Sequence, residues 1–202
     1  RPVAGITLAW ANRAAEVPGA RRVEDGFIRS RGLGAALVPP LSLVADDLGI
    51  YYDPGRESRF ERLMAAPLPP GGEARALALA EALTKAGVTK YNLGGALPEL
   101  PSGRRILVPG QVEDDASIRL GARAERSNLA LLTRARAEFP DAVLIYKPHP
   151  DVEAGLRPGL IPEAQLTALA DVVARDTSAA ALMARVDGVI TITSTMGFEA
   201  LL

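Results

Sequence analysis

Short apolar runs alternate with stretches of helical spacing through the second half of the chain. Arg105–Val108 and Val143–Tyr146 are β-branched or aliphatic runs of strand length, and both predict buried strands. Between them Ser127–Phe139 predicts a helix with Leu129, Leu132 and Phe139 facing inward. A helix at Glu163–Leu169 precedes a short strand at Val172–Ala174, and Thr177 or Ser178 caps a helix over Ala179–Val186. Gly188–Thr193 reads as the next strand. Strands separated by helices of this length imply a parallel sheet covered on both faces.

The first half is less regular. Gly5–Trp10 predicts a strand, and the short Ala/Asn/Arg segment after it reads as the end of a βα unit. Pro18-Gly19 turns into a strand at Ala20–Val23 that stops at Glu24-Asp25-Gly26. The glycine- and arginine-rich Phe27–Gly34 predicts a loop, and Leu41–Ala45 and Ile50–Tyr52 predict strands joined by a turn at Asp46-Asp47. Arg56–Ala66 predicts a helix closed by Pro67, Pro69 and Pro70. Glu73–Ala86 predicts another, with Ala76, Leu79, Leu83 and Ala86 on one face and Gly87 as its stop. Gly87–Gly103, with four glycines and two prolines, reads as a connection. The expected organisation is a first lobe over 1–90, a linker over 91–103 and a second lobe over 104–202. Both ends look cut, so the chain reads as a piece of a longer polypeptide.

Composition narrows the chemistry. Hydrophobic residues make up 48% of the 202, enough for a sizeable core. A net charge of −1 without a basic stripe, and aromatics at only 4%, argue against nucleic acid as a partner. The absence of cysteine excludes disulfides and thiolate metal sites and suits a reducing cytoplasm. One histidine makes a zinc or non-haem iron site improbable, and no metal or other cofactor is expected. No apolar run is long enough to span a bilayer, and the chain opens on no signal-peptide pattern.

Polar clusters follow the predicted strands, where parallel sheets place their ligands. After Val143–Tyr146 comes Lys147-Pro148-His149-Pro150, with the single histidine held between prolines that end the strand. Such a pair suits an anion such as a phosphate; a plain surface turn is the alternative. After Arg105–Val108 comes Gln111-Val112-Glu113-Asp114-Asp115-Ala116-Ser117, whose three consecutive acids repel one another. One of them reads as a nucleophile or charge stabiliser, as a simple helix cap at Asp114 or Asp115, or as part of a Mg²⁺ site. Thr193-Ser194-Thr195-Met196-Gly197 lies between a strand and a helix, where hydroxyls and free N–H groups receive anions or merely cap. In the first lobe, Glu24-Asp25 offers carboxylates for general acid–base work, with Arg29 and Arg31 near enough to hold Asp25 in a salt bridge instead.

Glu-Asp-Gly, His-Pro and Ser-Thr motifs in that order resemble bacterial glycosyltransferases that use CMP-activated acidic sugars, GT-B sialyltransferases among them. The resemblance is closer to capsule polysaccharide biosynthesis proteins of the KpsC/LipB type, which are β-Kdo transferases. It is carried by Val23–Ser30, Pro40–Leu43, Asp47–Asp53, Thr89–Leu93, Gln111–Ser117, Lys147–Val152 and Thr193–Leu202, essentially end to end. The family implies an α/β, GT-B-like fold of two Rossmann-like lobes with parallel sheets, here incomplete at both ends. It implies metal-independent transfer of Kdo from CMP-Kdo to a Kdo-lipid acceptor with retained configuration, in synthesis of the capsule linker. Asp115 matches the presumed nucleophile and Glu24 the acid–base residue, while His149 and Ser194 match residues that bind the CMP phosphate. Asp25, Arg29, Gln111, Ser117, Lys147, Thr195 and Gly197 complete the expected substrate-binding set. Cytoplasmic location, with peripheral contact to the inner membrane or the capsule export machinery, follows from the same resemblance. A CDP-glycerol-type phosphotransferase, since Lys-Pro-His-Pro also fits teichoic-acid polymerases, and a non-catalytic nucleotide-binding lobe are the rival readings.

Overall fold

The computed structural model describes residues 5–10, 17–34 and 36–202. The segment 11–16, expected to end a βα unit, lies outside the described residues.

The alternating runs of the second half become a four-stranded sheet, every pair of it parallel. β4 (Arg105–Pro109) and β5 (Val143–Lys147) form its centre, flanked by β6 (Val172–Val173) and β7 (Gly188–Val189) in the order β6-β5-β4-β7. Successive strand residues point to opposite faces. Ile106, Val108, Leu144 and Tyr146 therefore meet Leu131, Leu132 and Ala135 of α4 (Asn128–Glu138) and Leu166 of α6 (Glu163–Leu169). Leu107 and Ile145 meet Leu182 of α7 (Ala179–Met183) on the other face. Burying each such side chain stabilises by roughly 1.5–3 kcal/mol. Leu132 is buried as expected, while Leu129 and Phe139 sit partly buried at the margin, and Ala135 and Leu131 share the deep places with Leu132. The predicted strand Gly188–Thr193 keeps strand pairing only at its start, because its polar end leaves the sheet to enter the site.

The first half holds a three-stranded sheet of β1 (Leu8–Trp10), β2 (Arg21–Asp25) and β3 (Leu43–Asp46). β1 runs parallel to β2, and β3 runs antiparallel to it. Glu24 and Asp25, expected just beyond the strand, are its last two residues and pair with Val44 and Leu43. Ile50–Tyr52 forms a turn and not the predicted strand. Asp46, 1% exposed, explains this: Oδ1 accepts from Leu48 N and Gly49 N, and Oδ2 accepts from Arg59 N. These bonds fold the chain back at once and bring α1 (Arg59–Ala65) close. Ser58 and Glu61 start α1 as a reciprocal capping box. α2 (Gly72–Ala86) forms as expected and stops at Gly87 in a left-handed conformation (φ 61°). Its supposed inner face is not buried, since Leu79 is 51% exposed; its Ala- and Leu-rich composition carries the helix.

Residues 88–104 hold no helix or strand. α5 (Pro150–Glu153) escaped the sequence reading, α3 (Ala116–Gly121) appeared in it only as the helix that Asp114 or Asp115 would cap, and α8 (Thr195–Glu199) stands where a helix was expected. All three begin beside strand ends. Among the described residues no helix is long and apolar enough to cross a membrane.

Candidate active site

The carboxyl ends of β4 and β5, the end of β2 and the turn before α8 open on one cavity of about 480 Å³. Glu24, Asp25 and Arg29 line it from the first half; Gln111, Asp115, Ser117, Lys147, His149, Ser194 and Thr195 line it from the second. The three clusters separated in sequence thus share a single space. Gly197 alone of the expected residues lies outside the lining. It lets α8 approach Thr191, whose Cγ2 would stand 2.6 Å from an added Cβ.

The acid triplet divides among three partners. Glu113 Oε1 accepts from Asn128 N (2.7 Å), and Asp114 pairs with Arg157 (2.6 Å). Only Asp115 of the three lines the cavity. It also caps α3: Oδ1 accepts from Ser117 N (2.9 Å) and Ser117 Oγ (2.7 Å). Capping and cavity lining, posed as alternatives by the sequence, are both true. Oδ2 accepts no hydrogen bond among the described residues.

Gln111 is buried and bonded through both side-chain atoms. Its Nε2 donates to Thr193 Oγ1 (2.9 Å), and its Oε1 accepts from Thr193 N (3.0 Å) and Thr191 Oγ1 (3.2 Å). Its backbone is held in turn by Asn128, whose Oδ1 accepts from Gln111 N and whose Nδ2 donates to Gln111 O, both at 2.8 Å. Gln111, expected to bind substrate, lines the cavity and also braces the turn at 191–193. Thr193 Oγ1 donates on to Ser117 Oγ (3.2 Å), so Ser117 is likewise occupied with Asp115.

His149 caps α5, its Nδ1 accepting from Asp151 N (3.2 Å). Burial pushes the imidazole below its usual range against the opposing pull of the Asp151 carboxylate. A neutral ring whose Nδ1 accepts must carry its proton on Nε2, a donor for an anion. Lys147, 6% exposed, lines the cavity beside it, and its Nζ has no hydrogen bond or ion pair among the described residues. Burial depresses its pKa, a penalty that an arriving anion would offset.

Across the cavity, Glu24 Oε1 accepts from Asp25 N (2.9 Å) and Oε2 from the Tyr52 hydroxyl (3.2 Å). Burial raises its pKa above the ordinary glutamate value, which moves it toward a proton-exchanging role. Asp25 is paired with Arg29, the structural alternative weighed from the sequence; Arg29 is itself buried and also bonds Ser30 Oγ and Val38 O. One oxygen of Asp25 and one of Asp151 are buried without partners, so both carboxylates keep acceptor capacity. No three His, Cys, Asp or Glu residues among those described converge as metal ligands.

Sequence reasoning assigned no role to Tyr52, Lys90, Tyr91 or Asp151, all of which line the cavity; Thr193, which also lines it, entered only as part of the hydroxyl cluster at 193–197. Lys90 and Tyr91 sit in a Thr-Lys-Tyr-Asn segment that interrupts the glycine-rich connection, a signal that was available. The others owe their place to chain segments brought together by folding.

Similarity to known proteins agrees with this geometry. The family model described as "Capsule polysaccharide biosynthesis protein" matches residues 7–92 and 97–202. The capsule polysaccharide modification protein LipA of Neisseria meningitidis serogroup B is 44% identical over 207 residues, covering 96% of this chain and 29% of LipA. The lipopolysaccharide-processing protein LpsZ of Rhizobium meliloti is 42% identical over 188 residues, covering 90% of this chain and 43% of its own length. The chain thus spans less than half of either curated relative. Among solved structures, Thermosulfurimonas dismutans KpsC, beta Kdo 2,4 transferase, superposes with a TM-score of 0.81 at 30% identity. It covers 96% of this chain and 65% of that one. The beta Kdo 2,7 transferase of the same KpsC gives 0.74 at 33% identity, covering 96% and 60%. The α/β, GT-B-like fold expected of the sequence is the fold these structures share.

Proposed function

The chain belongs to the capsule polysaccharide biosynthesis protein family, and on that premise we propose that it is the catalytic region of a glycosyltransferase that moves Kdo from CMP-Kdo to a Kdo-terminated lipid acceptor. Residues 1–90 would form the acceptor-side lobe, 104–202 the nucleotide-sugar lobe, and 91–103 the link. One observation carries the reading: the carboxylates of Asp115 and Glu24 and the His149–Lys147 pair line the same cavity. Kdo transferases are also among the similar structures, which favours this donor over CDP-glycerol.

In the first step the bond from the anomeric carbon to the CMP phosphate breaks, and its electron pair leaves with the phosphate. His149 Nε2–H and Lys147 offset the charge that builds there, with the Ser194 and Thr195 hydroxyls alongside. Asp115 Oδ2 forms the new bond to the anomeric carbon and holds the sugar as a covalent ester. In the second step the acceptor oxygen attacks the same carbon and Asp115 departs, while Glu24 takes the acceptor proton. Two displacements give net retention, by the logic of retaining glycosidases.

The test incubates the protein with CMP-Kdo and a short Kdo-lipid acceptor and reads the product by NMR. A product with the donor's anomeric configuration is expected. An inverted product would replace the two-step route with a single displacement, and no transfer at all would overturn the function.

A further inference from the structure

We propose that Lys90 recognises the carboxylate that a 2-ulosonic acid carries on its anomeric carbon, and so selects acidic keto-sugars over aldoses. This rests on the reading of the cavity as a CMP-sugar site and names what that site reads in the sugar.

The cations around the cavity are not equivalent. Arg29 is committed to Asp25, and Arg157 to Asp114. Lys147 lies two residues from His149 at the end of β5, where a phosphate is received. Lys90 lines the cavity from the connection between the halves, and its Nζ has no hydrogen bond or ion pair among the described residues. It stands 5.4 Å from the centre of the Tyr91 ring, whose edge contact with His149 spans 6.1 Å. Glu24, Glu199 and His149 line the same cavity, and its charge acts on all three.

The backbone that carries it is fixed from both halves. Lys90 N donates to Glu199 Oε1 (2.6 Å), and Lys90 O accepts from Arg29 N (2.9 Å) and Ser30 N (3.1 Å). Asn92 Nδ2 donates to Ser30 O (2.9 Å), and Asn92 Oδ1 accepts from Thr89 N (2.9 Å). A turn so heavily bonded holds its side chain at a defined depth.

The chemistry of the sugar supplies the rest. In a 2-ulosonic acid the anomeric carbon bears the leaving oxygen, the ring oxygen and the carboxylate. With the phosphate at His149 and that carbon within bonding reach of Asp115, the carboxylate lies one bond from the reacting centre. Lys90 lines the cavity that holds both residues, with an ammonium left to receive it. An aldose has hydrogen there and would leave the ammonium desolvated without a counter-ion, a rejection as well as a lost attraction.

The experiment compares Lys90→Met and Lys90→Arg with the unaltered protein, measuring KM for CMP-Kdo and the inhibition constant of CMP. Lys90 makes its structural bonds through the backbone, so both variants are expected to fold, which thermal melts check. Losing a charge-assisted contact predicts a KM for CMP-Kdo raised roughly 10- to 100-fold in Lys90→Met, with CMP inhibition changed by no more than about twofold. Lys90→Arg should recover most of the loss. Equal weakening of CMP and CMP-Kdo would assign the lysine to the phosphate, and unchanged constants would remove it from the donor site; either overturns the proposal. Failure of the unaltered protein to consume CMP-Kdo would instead overturn the function beneath it.

Discussion

Hydrogen bonds around Asp115 run in one direction. Gln111 Nε2 donates to Thr193 Oγ1, Thr193 Oγ1 to Ser117 Oγ, and Ser117 Oγ to Asp115 Oδ1. The chain immobilises one carboxylate oxygen and leaves the other without a hydrogen bond among the described residues. Thr193 is therefore a positioning residue, and Thr193→Val tests it at nearly constant volume. With the relay cut, kcat should fall roughly 10- to 100-fold while KM for CMP-Kdo stays put, because small misplacements of a reacting group cost that much. Thr193→Ser, which keeps the hydroxyl, should restore kcat; a merely structural threonine would show no such split, and equal activity of all three proteins would contradict the relay. The sequence supplied Asp115, Ser117 and Gln111 as a spacing. It did not show that Gln111 and Ser117 spend their polar groups on the protein, since the partner that engages both, Thr193, lies 76 residues from Ser117.

At the scale of elements, β4, β5 and α4 between them were legible because their apolar periodicity matches how they are buried. Elements set by polar contacts were not. Ile50–Tyr52 has strand composition, yet the Asp46 carboxylate turns the chain just before it. α5 is four residues long and α3 six, too short for periodicity to show. Their caps, His149 and Asp115, were noticed as chemistry first. Asn128 shows how one side chain at a helix start orders a site: it binds Gln111 N, Gln111 O and Gly159 O while 1% exposed. Asn128→Ala leaves these backbone groups buried without partners, at about 1–3 kcal/mol for each that water cannot reach. Denaturant unfolding should show a loss of at least roughly 2 kcal/mol, with activity falling as the loop at 110–115 loosens. A melt indistinguishable from the parent's would mean that the loop is held by something else.

Over the whole molecule, the two sheets matter for the seam between them. The ring of Phe27, in the loop after β2, lies 5.6 Å from that of Phe198 in α8, and Glu199 of the same helix accepts from Lys90 N. These contacts keep Glu24 and Lys90 facing His149 and Asp115 across the cavity. The sequence named most residues on each side, and only folding could show that the sides face each other. The central claim is that Asp115 takes the sugar into covalent linkage there. Mass spectrometry of protein briefly exposed to CMP-Kdo without acceptor tests it most directly. The account predicts one added Kdo mapping to the peptide that contains Asp115, and none in Asp115→Asn. A sugar attached to another residue, or normal transfer by Asp115→Asn, would contradict it.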